Sequence, residues 1–324
     1  MSSCVLLIDG GTTNTRFTLM NGETVLERTE RKIGAADKQP GSQNEMLLQA
    51  VASAIRALQE TYQLQIEGIY LSGMITSANG LMEIPHMKAP AGLRDLAGAV
   101  HTCHIDSVCP APFHFVPGIR FAIETAGEDD MLRGEEAEVF GAVSKEDEDR
   151  SILFLHFGSH NKLIRYHERK IVRAVTTMSG EMLWALSQST ILKSSLCGLA
   201  EFTLSNDDVL AGFRAASANG LTRALFETRI LDVLHKAGRE RALSFLYGAL
   251  IHSDMQAFSP LFREPWDQVV LYGRDRFMDV FCICADATSK HMIDTHKIRR
   301  ISFDDSQWLS VLGMQKIRKA REEL

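Results

Sequence analysis

A strand, a polar loop, a second strand and a tight turn occupy residues 5–22, and the same succession returns 147 residues later without a gap. Val5-Leu6-Leu7-Ile8 falls on Ile152-Leu153-Phe154-Leu155, Gly11-Thr12 on Gly158-Ser159, and Asn14 on Asn161. Asn21-Gly22, a two-residue hairpin signal, falls on Glu168-Arg169, ahead of Lys170-Ile171-Val172. A repeat of this kind dictates the whole fold, because each copy is one supersecondary unit. The first copy continues in the order strand, strand, strand, helix, strand. A third strand is expected at about 23–28. Leu47, Leu48, Val51, Ile55, Leu58 and Tyr62 recur at helical spacing, and residues 66–71 form a buried strand that ends at Ser72-Gly73. The expectation is two α/β halves, 1–147 and 148–324, divided at the charge run 146–150.

The loop between the first two strands is built for an anion. Asp9 ends an apolar strand, and Gly10, Gly11, Thr12, Thr13 and Asn14 follow. Glycine lets backbone N–H groups come close to a phosphate, and the hydroxyl and amide side chains add donors. Asp9 stands where a Mg²⁺ beside a polyphosphate would be needed. The loop lacks the Gly-x-x-x-x-Gly-Lys-Ser/Thr spacing of a Walker A motif. The second copy ends its strand in an equally polar turn, Gly158-Ser159-His160-Asn161-Lys162.

Composition removes other classes of function. The formal charge is −6 and 45% of residues are hydrophobic, so nothing in the bulk charge calls for nucleic acid. No apolar run approaches the roughly 18 residues that span a bilayer, and no basic region precedes the first apolar stretch; a cytoplasmic protein with no membrane partner is expected. Six cysteines, at 4, 103, 109, 197, 282 and 284, form no Cys-x-x-Cys pair. His101, Cys103, His104, Cys109 and His114 match no usual zinc spacing, and structural or incidental roles are expected for them. Cys282 and Cys284, in Val-Phe-Cys-Ile-Cys-Ala, read as a strand with both thiols on one face. Residues 210–226 and 241–258 read as helices, in which Gly212 and Gly248 serve either helix packing or close approach to a nucleotide. Arg299-Arg300 and the tail 316–324 read as solvated charge.

Glu128, Asp129, Asp130, Glu135, Glu136 and Glu138 crowd around Arg133 within one short segment, with a helix beginning near Gly134. Carboxylates favour a helix N-terminus by about 0.3–1 kcal/mol each, but the density exceeds what capping needs. A phosphotransferase needs one carboxylate to take the proton of the attacking hydroxyl, and an arginine can clamp a substrate carboxylate bidentately.

The paired loops resemble the actin-like, hexokinase-like ATPase superfamily: two ribonuclease H-like lobes with a central nucleotide cleft. Met131-Leu132-Arg133-Gly134-Glu135-Glu136 is similar to the Met-x-Arg-Gly-Glu-Glu signature of the 2-dehydro-3-deoxygalactonokinases. Ser72-Gly73-Met74-Ile75-Thr76-Ser77, Ile84-Pro85-His86 through Pro90-Ala91-Gly92-Leu93, the 158–162 loop and Met178-Ser179-Gly180-Glu181 resemble further motifs of that family, in order, over about residues 5–255. Gly10 stands where the family usually has tryptophan; Phe157, Leu163 and Leu81 are further departures.

The resemblance implies ATP-dependent phosphorylation of a 2-keto-3-deoxy sugar acid, 2-dehydro-3-deoxy-D-galactonate at its 6-hydroxyl, in galactonate catabolism. ATP and Mg²⁺ are the implied cofactors. Asp9 would orient the metal. Gly10, Gly11, Thr12, Thr13, Asn14 and Arg16, with Gly158, Ser159, His160 and Lys162, would hold phosphates. Ser72, Gly73, Ser77, Asn79 and Arg133 would line the sugar pocket, and Glu135 would act as base, with Asp130 and Glu136 as alternatives. A kinase of the superfamily acting on another sugar or polyol, and a nucleotide-binding sensor, stay open, as does a homo-oligomer.

Overall fold

Strand residues 4–10 are buried on both sides, which requires a sheet covered by helices on each face. The computed structural model describes residues 4–38, 44–121, 129–196, 202–288 and 293–324; Glu128 and Cys197 lie outside them. The chain divides into two compact units: Met1–Asp149 with Glu168–Arg173 and Gln307–Leu324, and Arg150–His167 with Ala174–Ser306.

The first unit contains β1 (Cys4–Gly10), β2 (Thr15–Asn21), β3 (Thr24–Arg31), α1 (Glu45–Tyr62), β4 (Ile66–Gly73), β5 (Met87–Lys88), β6 (Ala91–Gly92), α2 (Leu93–Gly98), β7 (His101–Ile105), β8 (Cys109–Phe115), β9 (Ile119–Phe121), β10 (Asp130–Leu132) and α3 (Glu135–Ala142). Its main sheet runs β3-β2-β1-β4-β8-β7. β1 is antiparallel to β2 and parallel to β4, and β4 is parallel to β8. Leu6 and Ile8 pack with Leu47, Val51, Ile55 and Leu58 of α1. Asn44 caps that helix, its Oδ1 accepting from Leu47 N at 3.1 Å.

The second unit contains β11 (Ile152–Phe157), β12 (Asn161–His167), β13 (Lys170–Thr177), α4 (Ser179–Ser189), α5 (Asn206–Asn219), α6 (Leu221–Val233), α7 (Arg239–Phe262), β14 (Gln268–Gly273), α8 (Asp275–Thr288), β15 (Ile298–Arg300) and α9 (Phe303–Ser306). Its strands run β15-β14-β11-β12-β13, with β11 antiparallel to β12 and parallel to β14. This is the order β3-β2-β1-β4-β8 over again, the ribonuclease H-like half expected from the repeat. The hairpin turns also correspond: Gly22 has φ +60°, and Arg169, its counterpart in the 147-residue offset, has φ +62°.

The compact units differ from the expected division at 147/148. Helix α10 (Leu309–Glu322) belongs to the first unit, because Val311 and Met314 complete a core with Val5, Leu7, Met20 and Tyr70. Glu168–Arg173 joins it through the pairing of Lys170 and Ile171 with Gly92 and Ala91. The tail is therefore more than solvated charge. Lys316 donates to the carbonyls of Phe140 and Val143 at 2.8 and 2.6 Å, and burial pulls its ammonium below the ordinary lysine range.

Three other expectations are corrected. Cys282 and Cys284 lie on helix α8, whose buried Phe277, Met278, Phe281, Cys284 and Ala285 follow helical spacing; only part of that pattern shows in the window 280–285. The expected helix 210–226 is two helices, broken at Gly220 with φ +82°. Gly212 and Gly248 serve packing: a Cβ at 212 would stand 1.8 Å from the Phe245 carbonyl oxygen, and one at 248 would stand 1.9 Å from that of Val209. Residues 101–114 form the antiparallel pair β7–β8; among the described residues no three His, Cys, Asp or Glu side chains are grouped to hold a metal, and no helix is long and apolar enough to cross a membrane.

Candidate active site

β1 delivers Asp9 and Gly10 to its C-terminal end, where the chain turns. Gly11 N–H donates to the Asn14 carbonyl at 2.8 Å, and Ala35 and Ala36 N–H groups donate to the carbonyls of Gly11 and Thr12 at 3.2 and 2.9 Å. The loop is thus braced from behind, with Thr12 and Thr13 exposed at its tip. Gly10 is required by Ile75, whose Cβ would lie 2.4 Å from a Cβ at position 10.

Asp9 sits in a polar group of its own. Arg16 approaches its Oδ2 at 3.5 Å and binds Glu30 through Nε at 2.9 Å. Burial pushes the Asp9 carboxyl above the usual range, opposed by the Arg16 charge, hydrogen bonds from Ser310 and Arg16, and the charge of Arg28. Ser72 is the cross-strand partner of Asp9 on β4; its hydroxyl is buried and has no hydrogen-bond partner. A buried hydroxyl with no partner is uncommon in a folded chain.

Three glycines bring the acidic segment to these strand ends. Gly73, with φ +88°, lies so close to β1 that a Cβ would stand 2.5 Å from the Gly10 carbonyl oxygen. Gly134, with φ +115°, would place a Cβ 3.1 Å from Gly73 Cα. Arg133 and Glu135 follow from this contact. Both carboxylate oxygens of Glu136 accept from Gly134 N–H, at 2.9 and 2.8 Å, and Glu135 accepts from Arg133 N–H at 3.0 Å. Burial, with the Glu135 charge adding to it, pushes the Glu136 carboxyl up to about 8.

The second loop reproduces the first with a different bond. Gly158 N–H donates to the side-chain Oδ1 of Asn161 at 3.2 Å, where Gly11 uses the backbone of Asn14. Ser159 is exposed, its carbonyl accepts from Glu181 N–H at 2.7 Å, and His160 contacts Glu181 at 2.7 Å. Lys162 is buried in β12, opposite His156. Gly273, with φ +100°, presses on the Phe157 carbonyl as Gly73 presses on Gly10: a Cβ there would stand 2.2 Å away.

The profile of the family described as 2-keto-3-deoxy-galactonokinase matches residues 9–298 of this chain. The chain belongs to the 2-keto-3-deoxy-galactonokinase family. It is 25% identical over 256 residues to the 2-dehydro-3-deoxygalactonokinase of Escherichia coli (strain K12), covering 79% of this chain and 80% of that protein. The crystal structure of a Sinorhizobium meliloti protein, provisionally named 2-dehydro-3-deoxygalactonokinase, superposes with a TM-score of 0.76 at 21% identity, over 99% of this chain and all of the other; it shares the fold. The chain is a sugar kinase, a phosphotransferase.

In this kinase the residues expected at the site fall into two groups. Asp9, Gly10, Ser72, Gly73, Glu135 and Glu136 lie on segments joined through the Gly10–Gly73–Gly134 contacts. Arg133 lies on the same turn, but its guanidinium is engaged internally: Nη1 donates to the carbonyl and hydroxyl of Thr76, and Nη2 bonds the Ile84 carbonyl and His86 at 3.0 Å. Burial and the Arg133 charge lower the His86 imidazole below the ordinary range. Ser77 donates to the Met74 carbonyl at 2.7 Å and accepts from Asn79 N–H, and the Asn79 carbonyl accepts from Asn44. A pocket of about 330 Å³ in the first unit is lined by Glu83, Ile84, His86 and His101 among others, and by none of the five residues expected to bind sugar. Asp130, on β10, accepts from Met131 N–H at 2.7 Å. Ser310 and Asp254 were not expected at all; their contacts reach Asp9 and Asn161 from helices distant in sequence, and no local pattern marks them.

Proposed function

We propose that this kinase transfers the γ-phosphoryl group of ATP to the 6-hydroxyl of 2-dehydro-3-deoxy-D-galactonate, in galactonate catabolism, with Mg²⁺. The convergence of Asp9 and the Arg133-Gly134-Glu135 turn on touching glycines supports the site, and the family match over residues 9–298 supports the acceptor. The residues fit the metal: one carboxylate suffices, since Mg²⁺ keeps several waters and shares substrate phosphates. When bound, Mg²⁺ would spread the charge of the transferred group.

The protein's own share is positioning. Thr12 and Thr13 offer exposed hydroxyls to phosphate in the first unit, and Ser159 offers one in the second unit. Glu135, half-buried, takes the proton of the attacking hydroxyl. Glu136 has no exposed surface and anchors Gly134 instead. Arg133 holds the 74–86 segment in place.

Release of ADP, followed in the purified protein with a panel of sugar acids and polyols, tests the reading. Turnover is expected with 2-dehydro-3-deoxy-D-galactonate, and Asp9→Ala should lower it by roughly 10²-fold or more with melting unchanged. Wild-type turnover in Asp9→Ala would remove the first loop from the reaction. One observation favours a second acceptor class: the Arg133 guanidinium is engaged by Thr76, Ile84 and His86, so it is not presented to a substrate carboxylate. ADP release with a neutral sugar or polyol, and none with the acid, would establish that reading.

A further inference from the structure

We propose that Asp254, buried in α7, is a positioning residue for nucleotide phosphate: it holds the second loop in its binding shape through Asn161. The inference rests on the assignment of that loop to ATP. Asp254 is 2% exposed, and its acceptors are directed to the residues around the loop. Oδ2 accepts from Asn161 Nδ2 at 2.7 Å, and Oδ1 accepts from Ser179 Oγ at 2.5 Å; Thr177 adds a third side-chain hydrogen bond.

The first of these bonds decides which way the Asn161 amide faces. A carboxylate accepts only, so it draws the NH₂ group and leaves Oδ1 toward Gly158 N–H, 3.2 Å away. A flipped amide would set donor against donor and open the turn. The second bond fixes the start of α4 against the other side of the loop. There Glu181 N–H donates to the Ser159 carbonyl, and Gly180 lies so near that a Cβ would stand 2.0 Å from the Gly158 carbonyl oxygen. One side chain therefore governs both flanks of 158–160.

Packing alone does not account for it. Its helix neighbours Leu250, Ile251, Met255 and Phe258 are all buried apolar residues, and an apolar side chain at 254 would avoid the desolvation that raises this carboxyl above its ordinary range. Donors held in place before the ligand arrives bind it without reorganisation.

ATP affinity measured by calorimetry, with KM for ATP, kcat and melting temperature, tests the inference in Asp254→Ala, Asp254→Asn, Asn161→Ala and the double alanine variant. Misplacement of phosphate contacts by about an ångström costs on the order of 10- to 100-fold. Asp254→Ala should raise Kd and KM for ATP by that factor with a smaller change in kcat. Asp254→Asn, which still offers an oxygen to Asn161, should restore most of the affinity. The double variant should lose less affinity than the two single losses combined, because both variants share the Asn161 link, while the Ser179 bond is lost only with Asp254. Asn161→Ala breaks that link from the loop side and serves if Asp254→Ala does not fold. The inference is overturned if the variants melt lower yet bind ATP within twofold of wild type, or if the two effects add. A wild-type protein that does not bind ATP overturns the functional assignment itself.

Discussion

Glu136 is the residue whose environment contradicts its chemistry most. Its carboxyl has no exposed surface, and burial together with Glu135 raises it from 4.5 to about 8. Between those values the folded chain keeps a proton that the unfolded chain has released. Stability from this group is therefore full below about pH 4.5 and is lost as pH rises toward 8. Glu136→Gln should remove that loss. Urea unfolding at pH 5 and pH 8 should show the variant gaining on wild type at the higher pH; parallel pH dependence in the two proteins would mean that Glu136 stays charged in the fold. The sequence shows an acidic pair at a helix start. It does not show that Glu135 is half-buried and Glu136 wholly so, because that depends on Gly134 resting against Gly73. Arg133 likewise reads as a ligand clamp in the one-dimensional motif, yet folds back onto Thr76, Ile84 and His86.

In the first unit, α3 and α10 approach each other closely. A Cβ on Gly313 would stand 1.8 Å from the Ala137 carbonyl oxygen, and one on Gly141 would stand 2.0 Å from that of Leu309. The helices meet backbone to backbone, and the Lys316 ammonium closes the C-terminal end of α3. Gly313→Ala should cost about 1–3 kcal/mol or more by overpacking. Activity should fall with it, since α3 begins at Glu135. Gly220→Ala is the comparison: its φ is +82° but nothing lies within 4 Å of the added methyl, so it meets only backbone strain. A melting temperature unchanged in Gly313→Ala would refute the contact. At this scale the strands and α1 were legible from apolar period and the Asn-Gly turn. The break at Gly220 and the helical state of 282–284 were not, because short apolar windows suit either period.

For the molecule as a whole, the chain leaves the first unit near Arg150 and its last segment returns to it. A protein ending at Ser306 should keep amide protection in β11, β12 and β14 while losing it in β1 and β2, since Val5, Leu7, Met20 and Tyr70 would be uncovered where Val311 and Met314 pack. Unchanged exchange in β1 and β2 would show that α10 is dispensable. The fixed 147-residue offset reveals both hairpins but misses an equally exact correspondence: Gly73 and Gly273 each press with positive φ on the last carbonyl of their unit's first strand. The segments leading to them differ in length, with α4 to α7 standing in the second unit where α1 stands in the first. The sequence by itself determined the duplicated strand–loop–strand, the polar composition of both loops and the acidic turn, because turn residues and apolar alternation act between neighbours in the chain. Tertiary structure alone decided that Ser310 reaches Asp9, that Asp254 grips Asn161 across 93 positions, and that Arg133 is an internal strut. Sheet register and helix packing set those contacts, and neither depends on chain spacing.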